Sequence, residues 1–195
     1  PILAPAGERF ELIVSAQDHV RGCDPDTGKE LWRCEGTTGW VAPSPVFGLG
    51  LVFATSGKAG PTVAVKPGGR GDSQAVWKVP TGGAYYCSPI LVGTELYVHD
   101  EMGILTCFDA RTGKPHYKQR LGGARFVASP VAGAGRILCT DEAGTTFVIK
   151  AGKKYELLAV NKLGEYAVAS PALSRGEIFL RTEHHLWCIR GTDAP

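Results

Sequence analysis

An all-β propeller is the fold this sequence predicts, and three observations predict it. A Ser-Pro dipeptide recurs at Ser44-Pro45, Ser88-Pro89, Ser129-Pro130 and Ser170-Pro171; with Pro1 upstream, the prolines stand 44, 44, 41 and 41 residues apart. A period of that length marks one supersecondary unit copied along the chain, each copy burying its apolar faces against its neighbours. Within each copy the apolar runs last only a few residues, because 26 Gly and 13 Pro interrupt them. Paired-helix repeats share the period but need amphipathic runs of at least about 10 to 12 residues. The runs here, filled by Val, Ile, Leu, Tyr, Phe and Trp, suit short half-buried strands.

The copies divide the chain at about 1–36, 44–79, 88–121, 129–161 and 170–190. The first turns on Asp24-Pro25-Asp26-Thr27-Gly28-Lys29 and runs out along Glu30-Leu31-Trp32-Arg33. The second keeps Ala64 and Trp77 around a three-residue-longer loop with Lys66 in the Asp position, and its Arg70-Gly71-Asp72 lies in a Gly-rich hairpin. The third is the cleanest, with strands predicted at Pro89 to Val92, Glu95 to His99, Ile104 to Asp109 and His116 to Leu121. Gly103 closes its second hairpin, where a positive φ is needed, and Asp109-Ala110-Arg111-Thr112-Gly113-Lys114 makes its third turn. The fourth keeps a Gly in Lys150-Ala151-Gly152-Lys153 but loses the Asp, and Leu158 stands where the aromatic is expected. The fifth has three strands, near Pro171 to Ser174, Glu177 to Arg181 and Leu186 to Arg190. Four antiparallel strands per copy is the pattern of a propeller blade. Four blades and three strands of a fifth are expected to be the C-terminal part of a larger ring, with a closed five-bladed ring as the alternative. An open segment bares the apolar faces of its end blades, so the isolated chain is expected to self-associate.

Composition narrows the partners. Twenty-one basic residues against nineteen acidic give a net charge of +2 with no basic stripe, which argues against nucleic acid. No apolar run approaches the roughly 20 residues of a membrane-spanning helix, and no secretory signal lies within the chain. The cysteines at 23, 34, 87, 107, 139 and 188 form no metal-ligand spacing and fall at strand positions, which predicts buried free thiols.

Aligning the copies on Ser-Pro brings a second motif into register. The first copy carries Gly22, Asp24, Thr27, Gly28 and Trp32; the third carries Cys107, Asp109, Thr112, Gly113 and Tyr117; the second keeps Trp77. This pattern resembles the tryptophan-docking repeat of the pyrroloquinoline-quinone-like (PQQ-like) propellers, and the resemblance covers essentially the whole chain. It implies that the aromatic stacks between neighbouring blades, and that the parent ring has eight. It also offers two functions. One branch of the superfamily comprises quinone-dependent dehydrogenases, which hold PQQ and calcium on the axis and, in part, an adjacent cysteine pair against the cofactor. Here no two cysteines are adjacent, Asn161 is the only asparagine, and no oxygen-rich calcium set assembles from the sequence. The other branch, similar to the outer-membrane assembly lipoprotein, is a non-catalytic docking scaffold. The missing signatures favour that branch, which implies a bacterial, periplasmic or extracytoplasmic setting, a protein or small-ligand partner and no cofactor; the alternative is a dehydrogenase fragment with its PQQ site elsewhere.

Propellers present ligands where the loop entering each blade meets the loop between its second and third strands. The entering loops carry Trp40, Tyr85, Tyr86, Arg125, Phe126 and Tyr166, which read either as a surface for stacking on a flat ligand or peptide, with Arg125 as a fork for carboxylate, or as packing around the axis. In the second set of loops Asp100, Glu101, Asp141 and Glu142 recur beside Gly103 and Gly144, as tight hairpins require. His184 and His185 break the repeat and are the one candidate for a metal ligand pair.

Overall fold

The computed structural model describes residues 1–57 and 60–191, and every regular element in them is a β-strand. The first sheet is formed by β1 (Ile2–Ala6), β2 (Arg9–Ser15), β3 (His19–Cys23) and β4 (Glu30–Glu35). The second contains β5 (Val46–Gly48), β6 (Leu51–Thr55), β7 (Thr62–Val65) and β9 (Trp77–Val79); between its last two strands lies β8 (Gly71–Ser73). The third has β10 (Ile90–Val92), β11 (Glu95–His99), β12 (Ile104–Asp109) and β13 (Pro115–Arg120), and the fourth β14 (Val131–Gly133), β15 (Arg136–Thr140), β16 (Thr145–Lys150) and β17 (Leu157–Lys162). The last has β18 (Ala172–Ser174), β19 (Glu177–Arg181) and β20 (Leu186–Arg190). Each sheet is an antiparallel meander in chain order, so the chain is an all-β propeller segment.

One strand departs from that plan. β8 leaves the second sheet and pairs parallel with β4 (Trp32↔Gly71, Cys34↔Ser73), giving the first sheet a fifth strand. The long Gly-rich loop of the second copy is therefore not a simple hairpin. It carries Arg70-Gly71-Asp72 across to the outer edge of the neighbouring sheet and covers an edge that would otherwise be open.

The recurring serines form a ladder. Ser44 N–H donates to Ser88 Oγ at 3.0 Å, Ser88 N–H to Ser129 Oγ at 2.9 Å, and Ser129 N–H to Ser170 Oγ at 2.9 Å. Each Ser-Pro step thus ties one sheet to the next at the start of its innermost strand, and the proline that follows needs no donor partner. A neutral hydrogen bond contributes about 1 kcal/mol net. Ser129→Ala is expected to lower stability by about that amount, read as a shift in urea midpoint at constant m-value.

The Asp-x-x-Thr-Gly turns work by local capture. Asp24 Oδ1 accepts from Asp26 N, Thr27 N and Thr27 Oγ1, and Asp109 Oδ1 accepts the same three from Arg111 and Thr112. The Thr hydroxyl chiefly holds both carboxyls below their usual range. Gly28 and Gly113 follow at φ +72° and +71°, a conformation that favours glycine.

These turns deliver the aromatics opposite small residues, Trp32 facing Gly22, Trp77 facing Ala64 and Tyr117 facing Cys107. Trp77 stacks between sheets, 5.9 Å from Phe53 of its own sheet and 6.4 Å from Phe108 of the next, and its Nε1 donates to Ala110 O at 2.9 Å. Trp32 is seated differently. Its indole lies on Gly22, where a Cβ would approach to 2.2 Å, and its Nε1 donates to Glu11 Oε2 at 2.7 Å. That carboxylate, screened from solvent, also accepts Gly68 N–H of the loop between β7 and β8 at 3.0 Å and pairs with Arg9 at 2.5 Å. Burial raises the Glu11 pKa, but the bonds from Trp32, Gly68 and Arg9 outweigh it and hold the carboxyl below its ordinary value.

The fourth copy corrects the alignment by one residue. Its turn closes from Lys150 N to Glu156 O, where the third closes from Asp109 N to Lys114 O, so Val148 faces Ala159 and Leu158 falls on the irregularity of the strand. The wedge between the third and fourth sheets is filled instead by Tyr117 against Tyr155 at 5.8 Å and by Tyr97, whose hydroxyl accepts Gly152 N–H at 2.7 Å. All six cysteines are free thiols, four of them buried, and burial pushes Cys87 and Cys107 up to about 12. No helix among the described residues is long and apolar enough to cross a membrane.

Candidate functional site

In the second, fourth and fifth sheets the residue four before the ladder serine accepts a backbone hydrogen bond from the turn between the second and third strands of its own sheet. Gly57 N donates to Trp40 O, Glu142 N to Arg125 O and Glu183 N to Tyr166 O, each at 2.8 Å. This bond sets Trp40, Arg125 and Tyr166 at equivalent places on one face of the propeller, with Trp40 and Tyr166 each 50% exposed and Arg125 exposed. In the third sheet the same position is the buried Ala84, and the aromatics follow it as Tyr85 and Tyr86.

Four of the six candidates form a continuous run across three sheets. Trp40 meets Tyr85 edge to face at 6.2 Å, and Tyr85 lies 4.3 Å from Tyr86. Arg125 then places its guanidinium carbon 4.8 Å from the Tyr86 ring centroid and donates from Nη2 to Tyr86 Oη at 2.7 Å. The Tyr85 ring is seated by Gly57, where an added Cβ would come within 2.1 Å of it, so only glycine fits beneath it. Tyr85 N also donates to Glu101 Oε2 at 3.4 Å. Tyr166 stands apart, over a shallow depression of about 540 Å³ shared with Glu142 and Glu165.

Phe126 does not belong to this surface. It is wholly buried, 4.3 Å from His99 in an edge-on contact and 5.9 Å from Phe147; three before its serine like Tyr85, it turns inward as Ala167 does, whereas Tyr85 stays half-buried in the run. The docking-motif residues Asp24, Thr27, Gly28, Trp32, Trp77, Asp109, Thr112, Gly113 and Tyr117 lie in the turns and sheet contacts described above, away from the run. Asp100 Oδ1 accepts Met102 N and Ile104 N, and Asp141 Oδ1 accepts Ala143 N and Thr145 N, so both close hairpins.

His185 has a partner of its own. Its Nδ1 lies 2.9 Å from Glu165 Oε2, which also accepts the Thr182 hydroxyl at 2.7 Å, while His184 N donates to Glu165 Oε1 at 2.5 Å. The Thr182 hydroxyl, with His185 and His184 N, holds the Glu165 carboxyl down to about 2. The pair thus clamps the entering loop of the last sheet to its hairpin, and among the described residues no three His, Cys, Asp or Glu come together as a metal site.

Ser-Pro ladder, Asp-Thr-Gly turns and wedged aromatics together define a propeller of the PQQ-like type. The chain belongs to the family described as outer membrane protein assembly factor BamB, whose model matches residues 16–163. Among solved structures it is similar to BamB from Moraxella catarrhalis, with a TM-score of 0.66 and 14% identity over 93% of this chain and 54% of that one. It is also similar to the computationally designed Ika8 protein, with a TM-score of 0.69 and 14% identity over 92% of this chain and 54% of that one. The chain thus spans about half the length of either. No curated protein matches it in sequence.

Proposed function

We propose that this chain is a non-catalytic docking propeller whose contact surface is the run Trp40, Tyr85, Tyr86 and Arg125, with Tyr166 at its margin. The observation that carries this reading is the continuity of the run, in which aromatic faces and a guanidinium bridge three sheets on an exposed face. Trp, Tyr and Arg are the residues on which binding energy concentrates at protein interfaces. Three aromatic rings and a fork donor suit an extended polypeptide segment that carries a carboxylate, the rings taking its apolar side chains and Arg125 its charge. This role calls for no cofactor. The family description supports a partner from outer-membrane protein assembly and an extracytoplasmic setting. Apolar side chains exposed on the first and last sheets, Leu3 and Phe10 on one and Leu173 and Leu186 on the other, support self-association of the isolated chain.

The test is partner capture from a cell-envelope extract by the chain and by its Trp40→Ala, Tyr85→Ala, Arg125→Ala triple variant. Capture is expected to fall at least tenfold while the melting temperature holds within a few degrees. A partner retained at full yield by the folded triple variant would place the docking surface elsewhere.

A further inference from the structure

The repeat shows what belongs in each wedge between sheets, and one wedge lacks it. Between the second and third sheets, Trp77 stands between Phe53 and Phe108. Strand register gives the corresponding walls between the fourth and fifth sheets: Leu138 faces Val148 as Phe53 faces Ala64, and Ile178 faces Ile189 as Leu96 faces Phe108. The residue facing Val148 from the outer strand, where Trp77 faces Ala64, is Ala159. Both walls are therefore present, built from shorter aliphatic side chains, and the ring between them is gone.

A cavity of about 390 Å³ occupies this wedge, lined by Leu138, Val148, Ile178 and Ile189 and bounded at one side by Trp187. Trp187 Nε1 is already committed to Thr182 Oγ1 at 3.1 Å. Thr146 and Asn161, which face each other across β16 and β17, give the lining its polar edge, and among the described residues no charged side chain contributes to it. The size suits a small ligand, since such pockets run from about 300 Å³ upward, and an apolar cavity of about 150 Å³ already takes benzene. The absence of charge in the lining disfavours carboxylates and phosphates, which would lose hydration with no cation to replace it.

We propose that the wedge between the fourth and fifth sheets binds a small, uncharged, planar aromatic molecule of about indole size. Its ring takes the place that Trp77 fills two sheets earlier, and Asn161 supplies a hydrogen bond to a ring N–H or hydroxyl. The site is separate from the proposed docking run and does not depend on it.

The probe is 5-fluoroindole, followed by fluorine NMR and by the methyl resonances of the full chain. Its fluorine signal is expected to broaden with wild-type protein and to be released by excess indole, with shifts at the Ile178, Leu180 and Ile189 methyls. Ala159→Trp, which refills the wedge from within, is expected to abolish binding and raise the melting temperature. Leu138→Phe, which narrows the wedge without filling it, should weaken binding at least tenfold and keeps the test decisive if the larger substitution does not fold. Indole-3-acetate should bind at least tenfold more weakly than indole. Unmoved methyls at millimolar 5-fluoroindole, or binding of Gly-Trp-Gly without binding of free indole, would overturn the proposal, the latter by assigning the wedge to a polypeptide.

Discussion

Replacing Trp32 by alanine is expected to destabilise the chain by about 3–5 kcal/mol, the range for truncating a large buried aromatic. Two losses combine. The indole is 1% exposed and packs on Gly22 and under Gly69, so its removal opens a void on both sides of the wedge between the first two sheets. It also takes one hydrogen bond from Glu11, a carboxylate with no access to water as a substitute. Glu11→Gln separates the two effects. It keeps the shape, but its one acceptor oxygen can serve either Trp32 Nε1 and Gly68 N, which share Oε2, or Arg9, which takes Oε1, and without the charge both sets of bonds weaken; it is expected to cost about 1–3 kcal/mol. Because both variants disturb the same bond, the double variant should cost less than the sum of the singles by at least about 0.5 kcal/mol. Urea unfolding of the four proteins measures this coupling, and strict additivity would mean that Glu11 and Trp32 act independently.

The fold was legible because its signals are local. Asp24-x-x-Thr27-Gly28 and Asp109-x-x-Thr112-Gly113 fold their own turns, and the Ser-Pro period counts the sheets without reference to anything distant. What escaped sequence reading depends on contacts between copies. The serines mark the period in any reading, but their bond to the preceding copy exists only once sheets stand side by side. The departure of β8 to the first sheet was hidden because Gly68 to Asp72 has no alternation to betray a strand. The longer turn at Lys150 shifted the expected docking position from Ala159 to Leu158, and one residue on a strand reverses the face.

The candidate site was legible in composition and not in direction. Trp40, Tyr85, Tyr86 and Arg125 fall in the entering loops by simple counting, yet nothing in the sequence says that they meet across three sheets. Phe126, their neighbour in the alignment, turns inward. Glu11 does carry a signal in the sequence: it lies in phase with the buried Ile13, two residues along β2, and a carboxylate on the buried phase of a strand requires partners.

Lowering the pH from about 6.5 towards 4 is expected to destabilise the chain through one residue, His99. In the second and fourth sheets the equivalent strand pair is two threonines whose hydroxyls bond to each other, Thr55 with Thr62 at 3.2 Å and Thr140 with Thr146 at 2.9 Å. In the third sheet His99 faces Leu105 instead, wholly buried against Phe126, and neither ring nitrogen has a hydrogen-bond partner among the described residues. Burial alone drives its pKa down to about 4, from 6.5 in the unfolded chain. Above pH 6.5 the imidazole is neutral in both states and contributes no pH dependence. Below it the unfolded chain takes up a proton that the folded chain refuses, so stability falls by up to about 1.4 kcal/mol per pH unit until the folded pKa is reached, on the order of 3 kcal/mol in all. The depressed carboxyls of Glu11 and Glu165 lose their contributions at lower pH, as each is protonated below its unfolded value of 4.5. The window from pH 6.5 to about 5 therefore isolates His99 from them. His99→Thr with Leu105→Thr, which copies the pair of the neighbouring sheets, should remove the slope across that window and leave the molecule more stable than wild type at pH 5. Denaturant unfolding of both proteins at half-unit pH intervals measures the difference, and parallel curves from pH 7 to 5 would show that the buried imidazole is protonated as readily in the fold as outside it.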